Sequence, residues 1–219
     1  MTTTSNKLSE QLQAAKEQLV ATAPAEIYMA LFRTIQEQQE TGRAFGLPVG
    51  SKAKDFLLTN ATGESITLYE ELNKGPVVLT FYRGGWCPYC NLQLKAYQGI
   101  LPQIEALGGK LLAVSPQSPD NTLSHKEKAE LDFEVLSDIN GLVAAKYNLL
   151  YDVPDYLKEV SLNAFGLNLA EYNGTDRWIL PVPATFMIDE SATIRSAFVK
   201  PDFMVRLEPE LLLNELKKL

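Results

Sequence analysis

The stretch Phe81-Tyr82-Arg83-Gly84-Gly85-Trp86-Cys87-Pro88-Tyr89-Cys90 constrains this chain more than any other, because it holds both of its cysteines. The apolar, β-rich run Pro76-Val77-Val78-Leu79-Thr80-Phe81-Tyr82 stops at two glycines. Cys-Pro-Tyr-Cys then opens a segment in which Leu92, Leu94, Ala96, Tyr97, Ile100 and Leu101 recur at helical spacing. The pattern predicts strand, tight turn and helix, with Cys87 at the N-cap and Pro88 at the first helical position, where its missing N–H leaves no bond unmade. Unpaired helix amides and the macrodipole favour an anion at Cys87. Helix N-termini in Cys-x-x-Cys motifs lower a thiol pKa of about 8.5 to roughly 3.5–7.5, so Cys87 is expected to be largely ionised near neutral pH. A thiolate that has attacked a substrate needs a second thiol to release it. Cys90, in the same first turn, supplies one.

Other chemistries fit the pair less well. A zinc site needs two further Cys or His ligands, and the chain has no third cysteine and one histidine, His125, so no metal is expected. Inert core cysteines are the other alternative. The flanking Trp86, Pro88 and glycines favour redox chemistry, which needs no cofactor beyond the sulfurs. His125 stands among Lys126, Glu127 and Lys128 and is expected to be a solvated surface residue.

Trp86-Cys87-Pro88-Tyr89-Cys90 resembles the active-site motif of the thioredoxin superfamily. The longer pattern, Val49-Gly50-Ser51-Lys52-Ala53-Lys54-Asp55-Phe56 followed by Val77 to Cys90, is similar to the alkyl hydroperoxide reductase and thiol-specific antioxidant group, the peroxiredoxin-like proteins. The likeness covers roughly residues 47 to 219. It implies an α/β, thioredoxin-like three-layer sandwich, a central mixed sheet with helices on both faces. Val182-Pro183-Ala184-Thr185-Phe186-Met187-Ile188-Asp189 looks like the superfamily segment in which the proline is cis and faces the disulfide. By that resemblance Val182–Pro183 is cis, the Val182 backbone pairs with a bound substrate, and Pro183 and Thr185 belong to the substrate side of the site with Arg83, Trp86, Pro88 and Tyr89. The implied partners are a hydroperoxide or disulfide substrate and an electron-donor thiol of the thioredoxin, glutaredoxin or glutathione type.

The chain also departs from those families. Peroxide-reducing members resemble one another in a Pro-x-x-x-Thr/Ser-x-x-Cys loop and an Arg from a later strand. Here the corresponding positions are Thr80, Gly84 and Pro183-Ala184. Arg83, four residues before Cys87, is the candidate replacement, able to stabilise a thiolate or bind an anion. Thioredoxin's buried Asp six residues before the first Cys is replaced by Phe81, so no group for deprotonating Cys90 is evident. The residues support disulfide exchange, while the overall resemblance supports peroxide reduction through a Cys87 sulfenic acid. A third reading is a non-enzymatic redox-sensing adaptor with the pair as its switch.

At 219 residues, with 46% hydrophobic and 21% charged residues, the chain is long enough for one well-buried domain plus an extension. Its net charge of -7 argues against nucleic-acid and anionic-membrane surfaces. Residues 1–20 lack a basic segment followed by an apolar one, and no run reaches a membrane span, so a cytoplasmic protein is expected.

Two amphipathic helices, residues 5–22 and from Pro24 to Gly42, form an N-terminal helical extension (1–45) before a domain over 46–219. Their apolar stripes dock either on that domain or on a second copy, making a homodimer. A hairpin is expected around residues 60–63, then a short helix at 69–73, and after the cysteine turn one long helix ending at Gly108-Gly109. Strands are expected at 110–114 and 133–137, helices at 121–130 and 138–147. Residues 180–189 and 193–199 read as a two-stranded hairpin, and a final helix starts at Glu208-Pro209. The aromatic-rich segment 150–178 is longer than a thioredoxin-like connection needs. It forms either a lid over the disulfide or a second surface helix.

Overall fold

The computed structural model describes residues 7–42 and 44–219. Two helices come first, α1 (Leu8–Thr22) and α2 (Ala25–Thr41), with Pro24 as N-cap of the second. There follow β1 (Leu57–Asn60), β2 (Ser65–Thr67), α3 (Leu68–Leu72), β3 (Val77–Phe81), α4 (Pro88–Gly99), α5 (Leu101–Ala106), β4 (Lys110–Ser115) and α6 (Pro119–Lys128). The chain continues through β5 (Glu134–Ser137), α7 (Leu142–Lys146), β6 (Leu150–Asp152), α8 (Asp155–Phe165), α9 (Leu169–Asn173), β7 (Ile179–Pro181), β8 (Ala184–Ile188), β9 (Ile194–Val199) and α10 (Pro209–Leu216).

Seven strands form one sheet in the order β2-β1-β5-β4-β3-β8-β9. The central β3, β4 and β5 run parallel, and the strands outside them are antiparallel to their neighbours. Because successive side chains of a strand point to opposite faces, β3 feeds two cores. Val77, Leu79 and Phe81 join Leu112, Val114 and the residues of α3 and α7 on one side. Val78 and Tyr82 join Ala113 and the residues of α4, α5 and α10 on the other. Strands buried on both faces read as unbroken apolar runs, which is why 76–82 and 110–114 stood out in the sequence. The three-layer sandwich is the expected one, and β3 delivers the cysteine turn to the carboxyl edge of its parallel strands.

Several local expectations are corrected. The long helix after the cysteines is two: Ile100 separates α4 from α5, and Pro102, which has no N–H to give, lies in the first turn of the second. The helix expected over 138–147 is α7 alone, because Asp138 serves as its anchor, accepting the Val143 and Ala144 N–H groups at 3.2 and 2.9 Å. Residues 179–181 leave the expected hairpin and pair with β6 as a separate ribbon. No peptide bond is cis among the described residues, so Val182–Pro183 is trans. The Val182 N–H is held by the Leu149 carbonyl at 2.8 Å, and Ala184 passes straight into β8; trans, favoured by about 0.5–1 kcal/mol in such bonds, serves that path.

The N-terminal stripes are used within the chain: Leu8, Leu12, Leu31 and Ile35 belong to the core that contains α4. The first amides of α1, Leu8 and Ser9, donate to the Glu208 carboxylate at 3.3 and 2.6 Å. Helix α2 is fastened to α8 through Tyr156, whose hydroxyl donates to Glu37 at 2.6 Å while the Arg33 guanidinium lies 4.2 Å from its ring centroid. No helix among the described residues is long and apolar enough to cross a membrane.

Candidate active site

The turn forms as its residues require. Cys87 is the N-cap of α4 in an extended conformation and Pro88 occupies the first turn. Gly84 adopts φ +148°, a value open to glycine and not to residues with a Cβ. Its carbonyl accepts the Cys87 N–H at 3.1 Å, which closes the turn. Both cysteines are free thiols, 1% and 0% exposed respectively.

Cys87 lies on the wall of a cavity of about 350 Å³. Arg83, Trp86, Pro88 and Tyr89 line the cavity with it. The opposite wall is almost wholly apolar and comes from distant elements: Leu19 and Leu31 of α1 and α2, Leu157 and Phe165 of α8, and Phe203 beyond β9. The segment 150–178 contains the helices α8 and α9 and also walls the cavity beside Cys87, so the two expected alternatives fall on one element, and Leu19 and Leu31 of the N-terminal helices add to that wall. Val182, Pro183 and Thr185 do not line this cavity. Thr185 is instead buried in a hydroxyl cluster with Thr80 (3.1 Å), Gln93 (3.3 Å) and Tyr97 (3.4 Å).

Two buried guanidinium groups flank the sulfurs. Arg83, 5% exposed, is stacked between the rings of Trp86 and Phe203, with centroids 4.9 and 4.0 Å from its central carbon. Its Nη1 is 4.0 Å from Cys87 Sγ, and its backbone N–H donates to Cys90 Sγ at 3.4 Å. Arg206, 6% exposed, places Nη2 3.5 Å from Cys90 Sγ. The Phe203 and Val205 carbonyls hold its Nη1. No carboxylate pairs with either arginine among the described residues. Arg206 is the site residue that sequence reading missed, 116 positions from Cys90. The available signal was one cation inside the apolar run Phe203-Met204-Val205-Arg206-Leu207.

The ionisation expected at Cys87 is corrected by these contacts. Burial pushes the Cys87 thiol up, its hydrogen bond to Cys90 and repulsion by that sulfur add to this, and Arg83 and Arg206 only partly oppose them. Its sulfur accepts no capping bond from the helix amides, so the N-terminus gives it little direct help. Burial also opposes a charge on Cys90. The Cys87 thiol, the Arg206 charge, the Arg83 N–H and the Arg83 charge outweigh it and bring Cys90 down to about 5. The two sulfurs titrate as a pair, with the contacts that favour an anion gathered on Cys90.

His125 is likewise not a surface residue: it is 6% exposed and belongs to a ring of hydrogen bonds behind the turn. Asn91 donates to the Gly85 carbonyl at 2.9 Å, so its Oδ1 accepts the His125 Nε2–H at 3.0 Å. His125 Nδ1 then accepts from the Tyr82 hydroxyl at 3.4 Å. That oxygen accepts from Gln117 at 2.9 Å, and Gln117 in turn accepts the Gly85 N–H at 2.9 Å. Every donor meets an acceptor only with a neutral imidazole, in agreement with burial holding His125 below its ordinary pKa.

The sign of the linkage follows. Above the unfolded value of about 6.5 both states are neutral; as pH falls through that value the unfolded chain protonates first, and stability is lost until the folded imidazole also charges. The urea midpoint of the wild type should therefore fall more between pH 7 and pH 5 than that of His125→Gln. Equal falls in both proteins would remove His125 as the cause.

A parallel-centred sheet that presents two free thiols at a helix N-terminus defines a thiol-dependent oxidoreductase of thioredoxin-like architecture. Residues 49–197 match the AhpC/TSA family. The chain belongs to that family, and it is a peroxiredoxin-like protein. It is 29% identical over 154 residues to the protein named "Putative peroxiredoxin bcp" of Coxiella burnetii, covering 70% of this chain and 89% of that one. Over 164 residues it is 27% identical to the thiol-disulfide oxidoreductase ResA of Geobacillus thermodenitrificans, covering 73% and 76%. Among solved structures, the fold resembles peroxidoxin BcpB of Mycobacterium tuberculosis with a TM-score of 0.62, at 20% identity over 79% of this chain and 98% of that one. Helices α1, α2 and α10, and Arg206 with them, lie outside the matched residues.

Proposed function

We propose that this chain is a dithiol peroxidase that reduces organic hydroperoxides, with Cys87 as the attacking sulfur and Cys90 as the resolving one. The observation that carries this reading is the position of Cys87, 1% exposed and reached through an apolar cavity of about 350 Å³. Such a space suits a small apolar molecule better than a disulfide carried on a polypeptide. The Val182 N–H, the superfamily's docking point for an extended chain, is already bonded to Leu149.

The Cys87 thiolate attacks the terminal peroxide oxygen, the O–O bond breaks, and the departing alkoxide takes a proton to become an alcohol. Cys87 is left as a sulfenic acid. The Cys90 thiolate attacks that sulfur and expels hydroxide, closing the Cys87–Cys90 disulfide. The sulfur pair has then given two electrons to the peroxide. Arg83, whose Nε has no partner, lies on the cavity wall and stabilises the charge that develops on oxygen. Trp86, Pro88 and Tyr89 shape the approach, while Val182, Pro183 and Thr185 support the site from within the core. A disulfide on the cavity wall favours a small thiol of the glutathione type as reductant.

Disulfide exchange is the second reading, favoured by Cys-Pro-Tyr-Cys and the likeness to ResA. Stopped-flow oxidation of the reduced protein separates the two. Cumene hydroperoxide should react at least about tenfold faster than a protein disulfide such as insulin, and Arg83→Met should slow that reaction by about 10–100-fold. Faster oxidation by the protein disulfide would give the assignment to the second reading.

A further inference from the structure

We infer that Arg206 is a positioning residue that makes Cys90 the resting anion of the pair, so that Cys87 becomes a nucleophile only by passing its proton to Cys90. The use made of that proton rests on the peroxidase reading above; the resting charge distribution does not.

Geometry assigns the charge unequally. Cys90 Sγ receives the Arg206 guanidinium at 3.5 Å and the Arg83 N–H at 3.4 Å, whereas Cys87 Sγ receives only Arg83 Nη1 at 4.0 Å. Arg206 is held in place by two backbone carbonyls, Phe203 and Val205, which fix its direction without neutralising it. An unneutralised guanidinium at 6% exposure needs an anion nearby, and Cys90 is the group it faces.

The other titratable groups around the pair do not compete for that role. Burial keeps the Tyr82 and Tyr97 phenols protonated and is the chief cause that does the same for Tyr89, and Tyr151 stands near Arg83. Asp202 accepts the Met204 N–H at 3.0 Å, and Glu208 is engaged by the α1 amides. Neither carboxylate reaches Arg206 among the described residues.

The reaction sequence then balances without an outside acid or base. The resting pair is Cys87 S–H with Cys90 S⁻. Transfer of the proton gives Cys87 S⁻ with Cys90 S–H. Cys87 takes the terminal oxygen of the hydroperoxide, and the alkoxide that leaves takes the hydrogen of the new Cys87 sulfenic hydroxyl, which is replaced by the proton from Cys90, since Cys90 does not itself line the cavity. Cys90 is an anion again at the moment when the Cys87 sulfenic acid needs a second nucleophile, and the disulfide closes with release of hydroxide. One proton makes the circuit from Cys87 through Cys90 to the Cys87 sulfenic oxygen. The resolving sulfur needs no separate base, which answers the absence of a carboxylate at position 81.

The test reads ionisation and needs no substrate. In a Cys87→Ser protein, where a hydroxyl still donates to Cys90, the ultraviolet thiolate absorbance should titrate below neutral pH, and below that of the Cys90→Ser protein. Adding Arg206→Gln should raise the Cys90 midpoint by at least about one pH unit, a tenfold loss of acidity, and Arg206→Lys should restore part of it. The ¹³C shift of Cys90 Cβ in the wild type makes the same measurement with no substitution, and should titrate at lower pH than that of Cys87. An unmoved midpoint in folded Arg206→Gln, or Cys87 titrating first in the wild type, overturns the inference. Failure of every hydroperoxide to oxidise the protein would overturn the peroxidase reading and leave these titrations as they are.

Discussion

Replacing Cys87 by serine is expected to lower peroxide turnover by on the order of 10⁴-fold or more, the scale of losing a covalent nucleophile. A hydroxyl in that buried place has no base able to ionise it, and Cys90, at 0% exposure, does not line the cavity to take its place. Cys90→Ser is expected to behave differently. Cys87 should still be oxidised once and then stop, leaving a sulfenic acid that a dimedone-type probe captures and mass spectrometry locates on residue 87. The contrast between an inactive protein and one trapped after a single event identifies which sulfur attacks. Steady turnover by the Cys87 variant, or sulfenic acid found on Cys90, would reverse the two roles.

The largest expected effect on stability comes from Gly84→Ala. Two independent penalties coincide at this position. The backbone angle of +148° is strained for any residue with a Cβ, and the added carbon would stand 2.4 Å from Trp86 Nε1 and 2.9 Å from its Cδ1. The indole cannot withdraw freely, because the Arg83 guanidinium stacks on it and Phe203 closes the far side of that guanidinium. A cost of about 2–4 kcal/mol is expected from strain plus displacement. A domain of this size then melts roughly 4–16 °C lower. Thermal denaturation of the reduced variant measures it, and an unchanged melting temperature would show that the turn has another conformation open to it.

How much of this molecule can be read from its sequence depends on how far apart the cooperating residues are. The strand, turn and helix around Cys87 were legible because each residue type answers a local demand: an unbroken apolar, β-rich run in β3, a small residue at Gly84, and Pro88 where no N–H is needed. The sheet followed, since its apolar runs are contiguous. The ionisation of the sulfurs was not legible. It depends on burial, to which Leu19, Leu31 and Phe165 contribute, and on Arg206, which reaches the site from beyond β9, and none of these is near the cysteines in the chain. His125 misled for the same reason. Its neighbours in sequence are charged, but its neighbours in space are Tyr82, Asn91 and the close-packed Gly85, where an added Cβ would lie 2.6 Å from the imidazole Cγ.

The separation of Arg206 from Cys90 has a consequence during biosynthesis. At about 5–20 residues per second, the ribosome delivers Arg206 roughly 6–23 s after the 116-position gap begins at Cys90. Throughout that interval the nascent chain carries both sulfurs without the guanidinium that polarises them. The redox centre is therefore armed late, after β1–β9 and α1–α9 have been translated and just before α10.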